Sequence, residues 1–136
     1  MKITIETTVN SDIETTWHAW NNPDDIKQWN SASDDWHTPE SRVDLREGGT
    51  FSSRMEAKDG SMGFDFEGTY TKVVKHERIE YEMADGREVT VTFSKAKGGV
   101  KVEETFDAET QNSIEMQRNG WQSILDNFVR HVEAKS

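Results

Sequence analysis

Residues 2 to 9 alternate between apolar and polar positions, with Ile3, Ile5 and Val9 on one side and Lys2, Thr4, Glu6 and Thr8 on the other. A repeat of two is that of a half-buried strand. The period then changes. Ile13, Trp17 and Trp20 recur at i, i+4 and i+7, the stripe of a short helix, and Ser11-Asp-Ile-Glu14 ahead of them predicts a capping box. Asn21-Asn22-Pro23 ends that helix. Pro23 suits the first turn of a second one over DDIKQW, because proline lacks an N–H that this position leaves unpaired anyway. Residues 30 to 41, NSASDDWHTPES, are polar and irregular around Trp36 and predict a long loop. From Val43 the period of two returns. Met62, Phe64, Phe66, Gly68 and Tyr70 share a face, as do Ile79, Tyr81 and Met83, then Val89, Val91 and Phe93, then Val100, Val102 and Phe106. Glu47-Gly48-Gly49, Asp59-Gly60, Asp85-Gly86 and Gly98-Gly99 separate these runs and read as turns.

The chain closes on a different pattern. In residues 112 to 134, Ile114, Trp121, Ile124, Leu125, Phe128 and Val132 are spaced by three, four and seven and line one face of a long helix. Asn112, with Glu115 three residues on, is its expected cap. A helix of this length buries such a stripe only by lying across a whole sheet. The predicted class is therefore α+β. A curved antiparallel sheet of about six or seven strands wraps around the C-terminal helix, with two short helices after the first strand. One domain over residues 1–136 is expected from the length.

Composition narrows the function classes. Only 32% of residues are hydrophobic, so the five Trp, six Phe and five Met must supply much of the buried area. Sixteen Lys and Arg against twenty-six Asp and Glu give a net charge of −10. Such a surface repels phosphate backbones and anionic headgroups, which makes nucleic acid and membrane poor partners. With no cysteine there is no disulfide, thiolate metal site or cysteine nucleophile. No histidine pair has ligand spacing, and no P-loop, dinucleotide fingerprint or G-x-S-x-G is present, so neither metal nor cofactor is expected. The N-terminus lacks the apolar core of a signal peptide, and a cytoplasmic location is the default expectation.

The element order and a set of residues resemble the START-like helix-grip superfamily, also called SRPBCC. The chain looks most like the bacterial proteins related to the C-terminal domain of the heat-shock-protein ATPase activator. The residues that carry the resemblance run from Trp17 to Trp29 (WHAWNNPDDIKQW), through Trp36 with Pro39 and Asp44-Leu-Arg-Glu-Gly-Gly-Thr-Phe51, to Gly68-Thr-Tyr70 and Gly120-Trp121. His76 departs from the pattern, standing in a turn where relatives often carry proline. The resemblance implies a mostly apolar cavity between sheet and last helix. The superfamily includes lipid and hormone binders, polyketide cyclases and aromatases, and partners of chaperones, so the fold alone does not select a function.

Within that frame, Met55, Phe64, Phe66, Tyr81, Met83, Val91 and Phe93 have the parity of the inner face and are expected to look toward Trp121. Each is a candidate ligand contact, with ordinary core packing as the alternative. Glu104 is the anomaly. It falls on the inward parity set by Val100, Val102 and Phe106, where a carboxylate is costly unless paired, hydrogen-bonded or protonated. A bulge turning it outward, or an ion pair with Arg54 or Arg118, would remove the anomaly. Gln117, one turn before Trp121, is the second polar residue on an apolar stripe. Trp36 and His37, in the predicted loop, are placed to cover a cavity mouth. The leading expectation is binding of a largely apolar small molecule, with Glu104, Gln117, Tyr81 or His37 orienting it. The alternatives are a cyclase or hydrolase using Glu104 or His37 as acid or base, and a chaperone-interacting module.

Overall fold

The computed structural model describes residues 1–135. The order is β1 (Lys2–Val9), α1 (Ile13–Asn21), α2 (Pro23–Trp29), β2 (Trp36–Val43), β3 (Thr50–Ala57), β4 (Gly63–Val74), β5 (Arg78–Met83), β6 (Glu88–Ala96), β7 (Gly99–Asp107) and α3 (Ile114–Lys135). The seven strands form one curled antiparallel sheet in the order β1-β7-β6-β5-β4-β3-β2. Strands β2 to β7 are thus a meander of neighbours, as short turns dictate. β1 lies at the far edge, against β7, with Ile3 opposite Phe106 and Ile5 opposite Glu104. Helices α1 and α2 carry the chain from one edge of the sheet to the other, and α3 lies in the concave face.

This is the expected α+β helix grip. Gly60, Gly86 and Gly98 take positive φ angles in three of the predicted turns, where a Cβ would be strained. His76 also sits at φ 67, an angle closed to proline, and its ring meets the edge of Trp17 at 5.9 Å.

Three local expectations are corrected. The predicted loop of residues 30 to 41 becomes β2 from Trp36 onward, because the sheet edge accepts what a central strand would refuse. A bulge between His37 and Glu40 takes up Thr38 and Pro39, and proline is tolerated where no ladder N–H is required. Thr38 is buried there and donates its hydroxyl to the Asn30 carbonyl at 2.7 Å. The cap of α1 is Asp12 rather than Ser11. Its carboxylate accepts from the Thr15 N–H at 2.7 Å, and an anion at a helix N-terminus has the dipole in its favour. The cap hydroxyl of α3 is that of Ser113, which accepts from the Met116 N–H at 3.1 Å, while the Asn112 N–H is held by Glu109.

The core fills one side of the concave face. Ile3, Val9, Val100, Val102 and Phe106 from the β1–β7 pair pack with Leu125, Phe128 and Val132 of α3, all of them fully or almost fully buried. Phe128 packs against both Trp20 and Trp29, at 4.9 Å from each ring, and the two indoles also meet at 5.0 Å. Removing such a side chain from water contributes about 2–3 kcal/mol. The indole of Trp29 donates to the Ala19 carbonyl at 3.0 Å, which fixes α2 against α1. A second clasp joins α2 to the end of α3. Asp25, buried, accepts from Lys135 at 2.6 Å and from Asn22 at 2.9 Å, and lies 2.8 Å from the His131 ring. Burial alone would raise its carboxyl, but the bonds from Lys135, His131 and Asn22 outweigh that and hold it at about 2.

Candidate functional site

Beside the core, the first half of α3 stands off the sheet and leaves a cavity of about 420 Å³. Its floor is the inner face of β3, β4 and β5, where Phe51, Met55, Phe66, Tyr70, Ile79, Tyr81 and Met83 point inward at every second position. Its roof is Met116, Gln117, Gly120, Trp121 and Ile124 of α3, and Trp20, Ile26 and Trp29 close the side toward α1 and α2. Phe64 and Met116 line the cavity yet are 49% and 62% exposed, so the opening lies between the start of β4 and the first turn of α3.

Aromatic rings set the floor's shape. Phe51 meets Phe66, Tyr70 and Tyr81 at centroid distances of 5.5, 5.3 and 4.8 Å. Trp121 stacks flat on Phe106 at 3.8 Å and turns its edge to Phe66 at 6.3 Å. Gly120 marks where the roof is thinnest. A Cβ there would meet nothing within 4 Å, although glycine costs a helix interior about 1 kcal/mol relative to alanine.

Glu104 does face inward. It is 6% exposed, lines the cavity, and lies opposite Ile5 on β1 and Val91 on β6 with no bulge to turn it away. Among the described residues nothing pairs with its carboxyl. Arg54 is engaged on the outer surface with Glu56 and Asp65. Among the described residues every side-chain oxygen or nitrogen fully shielded from solvent has a partner, so the unpaired carboxyl is one that opens into the cavity. Burial pushes it up to about 8, so it is mainly protonated at neutral pH. Tyr81 is its polar neighbour on the floor, and Tyr70 lies beyond Tyr81 on β4. Burial raises both hydroxyls, and the proximity of Glu104 raises Tyr81 further.

The other expected site residues divide into groups. Met55, Phe64, Phe66, Tyr81, Met83 and Trp121 line the cavity together with Glu104. Val91 and Phe93 have the right parity but lie under α1 and the core instead; Phe93 is covered by Trp17 and Trp20. Trp36 and His37 are outside the lining. As β2 residues they are held in the sheet edge, with Trp36 against Phe64 at 6.0 Å and His37, exposed, 3.8 Å from Glu56.

Gln117 borders the cavity, but its amide is used on the loop before α3. Its Oε1 accepts from the Glu109 N–H at 2.9 Å, and its Nε2 donates to the carbonyls of Glu109 and Asn112 at 3.1 and 2.9 Å. It ties the helix start to β7 and does not face Glu104 with a free group. Sequence reasoning missed Trp20, Ile26, Trp29, Phe51, Arg87 and Gly120. Only Gly120 carried a local signal, a glycine interrupting a helix interior.

Residues 10–133 match the model of the family described as activator of Hsp90 ATPase homolog 1-like protein. The chain belongs to that family. Among solved structures, the solution structure of the AHSA1-like protein from Aeromonas hydrophila is 56% identical, with a TM-score of 0.93 over 99% of this chain and 94% of that one. A protein from Cytophaga hutchinsonii is 45% identical, with a TM-score of 0.85 over 98% of this chain and 93% of that one. A protein from Nitrosomonas europaea shares the fold at 17% identity, with a TM-score of 0.87 over 100% of this chain and 96% of that one. No curated protein matches significantly. Family membership places the chain in the SRPBCC helix-grip superfamily. Among the described residues no helix is long and apolar enough to cross a membrane, and no cluster of three or more His, Asp or Glu is arranged to hold a metal.

Proposed function

We propose that this protein binds a largely apolar small molecule in the cavity beneath the first half of α3. The observation that carries the reading is the cavity itself: about 420 Å³, walled by aromatic and Met side chains, with one unpaired carboxyl. That size and lining are those of small-molecule sites, which combine an apolar wall with a few placed polar groups. A void of this extent is otherwise costly in a core, where close packing is the rule.

The test is a thermal-shift screen of apolar compounds against the wild type and Gly120→Leu. A ligand raises the melting temperature by mass action. The introduced leucine side chain extends into the open space above the floor, so compounds that stabilise the wild type should leave the variant's melting temperature unmoved. A hit that stabilises both proteins equally binds elsewhere, and a screen without hits removes the reading.

Two further readings share this site or its rim. Catalysis would use Glu104 as acid or base. Glu109, the other carboxylate on the lining, already accepts from the N–H groups of Gln111 and Asn112. Binding is therefore favoured over chemistry, and any turnover that persists in Glu104→Gln removes the residue from such a role. A chaperone-facing role takes support from the family description and from the exposed Met62, Phe64 and Met116. It predicts that the protein accelerates ATP hydrolysis by an Hsp90-type chaperone, and an unchanged rate rejects it.

A further inference from the structure

Among the described residues of the cavity lining, the side chains of Glu104, Tyr70 and Tyr81 have no hydrogen bond to protein, and strand register sets Glu104 beside Tyr81. Glu104 on β7 lies opposite Val91 on β6, and Val91 lies opposite Ile79 on β5. One step along, Phe106 faces Val89, and Val89 faces Tyr81. Glu104 and Tyr81 therefore stand on either side of the two short valines of β6, on the same inward face. The two are near enough for Glu104 to raise the Tyr81 hydroxyl. Both residues are more than nine-tenths buried, and both line the cavity.

We infer that the ligand is a hydrocarbon-rich molecule bearing a carbonyl oxygen, and that this oxygen accepts hydrogen bonds from the Glu104 carboxyl and the Tyr81 hydroxyl. The inference rests on the cavity being a binding site and adds the chemistry of its polar spot.

The charged surroundings select an acceptor over a cation. No basic side chain pairs with Glu104 from β1, β6 or α3; its neighbours across the strands are Ile5 and Val91, and Gln117, the buried polar side chain of α3, is spent on the loop. Glu109 points its carboxylate at backbone N–H groups. Among the described residues the one cation on the lining is Arg87, from the turn between β5 and β6, bonded to Asp85 at 2.8 Å and close enough to Tyr81 to favour negative charge there. An ammonium ligand would have to enter beside that guanidinium and ionise a carboxyl away from water, which carries the full desolvation cost of a buried ion pair. A carbonyl oxygen needs no charge. It takes one hydrogen bond on each lone pair, and both donors are neutral. Buried donors left unmatched discriminate strongly against a ligand that lacks the acceptor.

Three naphthalenes of similar shape separate the possibilities by calorimetric titration: 2-acetylnaphthalene, 2-ethylnaphthalene and 1-(2-naphthyl)ethylamine. The ketone is expected to bind about tenfold more tightly than the hydrocarbon, the worth of one to two net hydrogen bonds. Tyr81→Phe and Glu104→Leu should each remove most of that preference, while Glu104→Gln keeps it because an amide also donates. The carbonyl stretch of the bound ketone should fall in frequency in the wild type and recover part of the shift in Tyr81→Phe. Equal affinity for ketone and hydrocarbon overturns the inference and leaves apolar binding intact. An amine that binds most tightly and is lost in Glu104→Gln also overturns it, since Glu104 would then act as a carboxylate. Failure of all three to bind, with Gly120→Leu as the blocked control, removes both the inference and the binding reading beneath it.

Discussion

Leu125, Phe128 and Val132, in the second half of α3, are fully or almost fully buried where α3 packs on β1 and on the tryptophans of α1 and α2. Trp121 and Ile124, in the first half, continue the same apolar stripe but border open space. The two halves are secured differently. The second half is fixed by packing and by the Asp25 clasp to His131 and Lys135. The first half is fixed at two points, the Gln117 bonds to the preceding loop and the Trp121–Phe106 stack. One amphipathic stripe thus both seals a core and roofs an open space, and the division falls between Ile124 and Leu125.

The largest expected effect contrasts two aromatic truncations. Phe128→Ala should cost about 3–5 kcal/mol, as for large-to-small changes in a closed core. Trp121→Ala should cost less, about 1–2 kcal/mol, because it removes one ring stack beside space that already exists. Urea unfolding of both variants checks this, and a Trp121→Ala loss equal to that of Phe128→Ala would abolish the distinction between the halves.

The next contrast is in pH. Glu104 is raised from 4.5 to about 8 in the folded protein. Below pH 4.5 it is protonated folded and unfolded. Between pH 4.5 and 8 only the unfolded chain releases its proton, so stability falls as pH rises through that window and levels off above it. The drop amounts to a few kcal/mol. Glu104→Gln should flatten this part of the stability–pH curve and be the more stable protein at pH 8. A wild-type curve without that slope would place the carboxylate in water.

The clasp of the second half behaves in the opposite sense. Asp25 is lowered from 3.8 to about 2, so its stabilisation is present above pH 3.8 and is lost as pH falls through about 2. Asp25→Asn should cost about 2 kcal/mol at pH 7 and nothing at the acid limit. The smallest effect returns to the roof. Gly120→Ala should stabilise the protein by up to about 1 kcal/mol, since the helix gains and no neighbour is touched. A destabilised Gly120→Ala would mean that the roof descends further onto the floor than the open space above it suggests.

The fold was legible because periodicity reports which face of an element is buried. The parity of Val100, Val102, Glu104 and Phe106 was enough to turn Glu104 inward. Periodicity does not report what covers that face. Val91 and Phe93 share the parity of Tyr81 and Phe66, yet they lie beneath core rather than cavity, because α3 rises away from the sheet only toward its own N-terminus. Trp20 and Trp29 reach the cavity through the packing of α1 and α2 on α3, a contact no local pattern encodes. β2 was hidden by Pro39 and by a bulge, both of which belong to an edge and blur the alternation. Gln117 was recognisable as polar on an apolar stripe. Its partners are loop carbonyls and one N–H, and these carry no side-chain signature.

The pairing of β1 with β7 also sets a schedule for synthesis. Lys2 bonds Asp107 at 2.7 Å across 105 residues. At roughly 5–20 residues per second the first strand waits about 5–20 s for its partner to emerge. The β2–β7 meander can assemble locally in that interval, whereas the strand that closes its exposed edge was the first one made. Contacts of such long sequence separation slow folding, because the chain closes its largest loop before the pairing rewards it. The alternation of Lys2, Thr4, Glu6 and Thr8 with the apolar positions keeps the waiting strand half polar, which limits its tendency to pair with another chain during the delay.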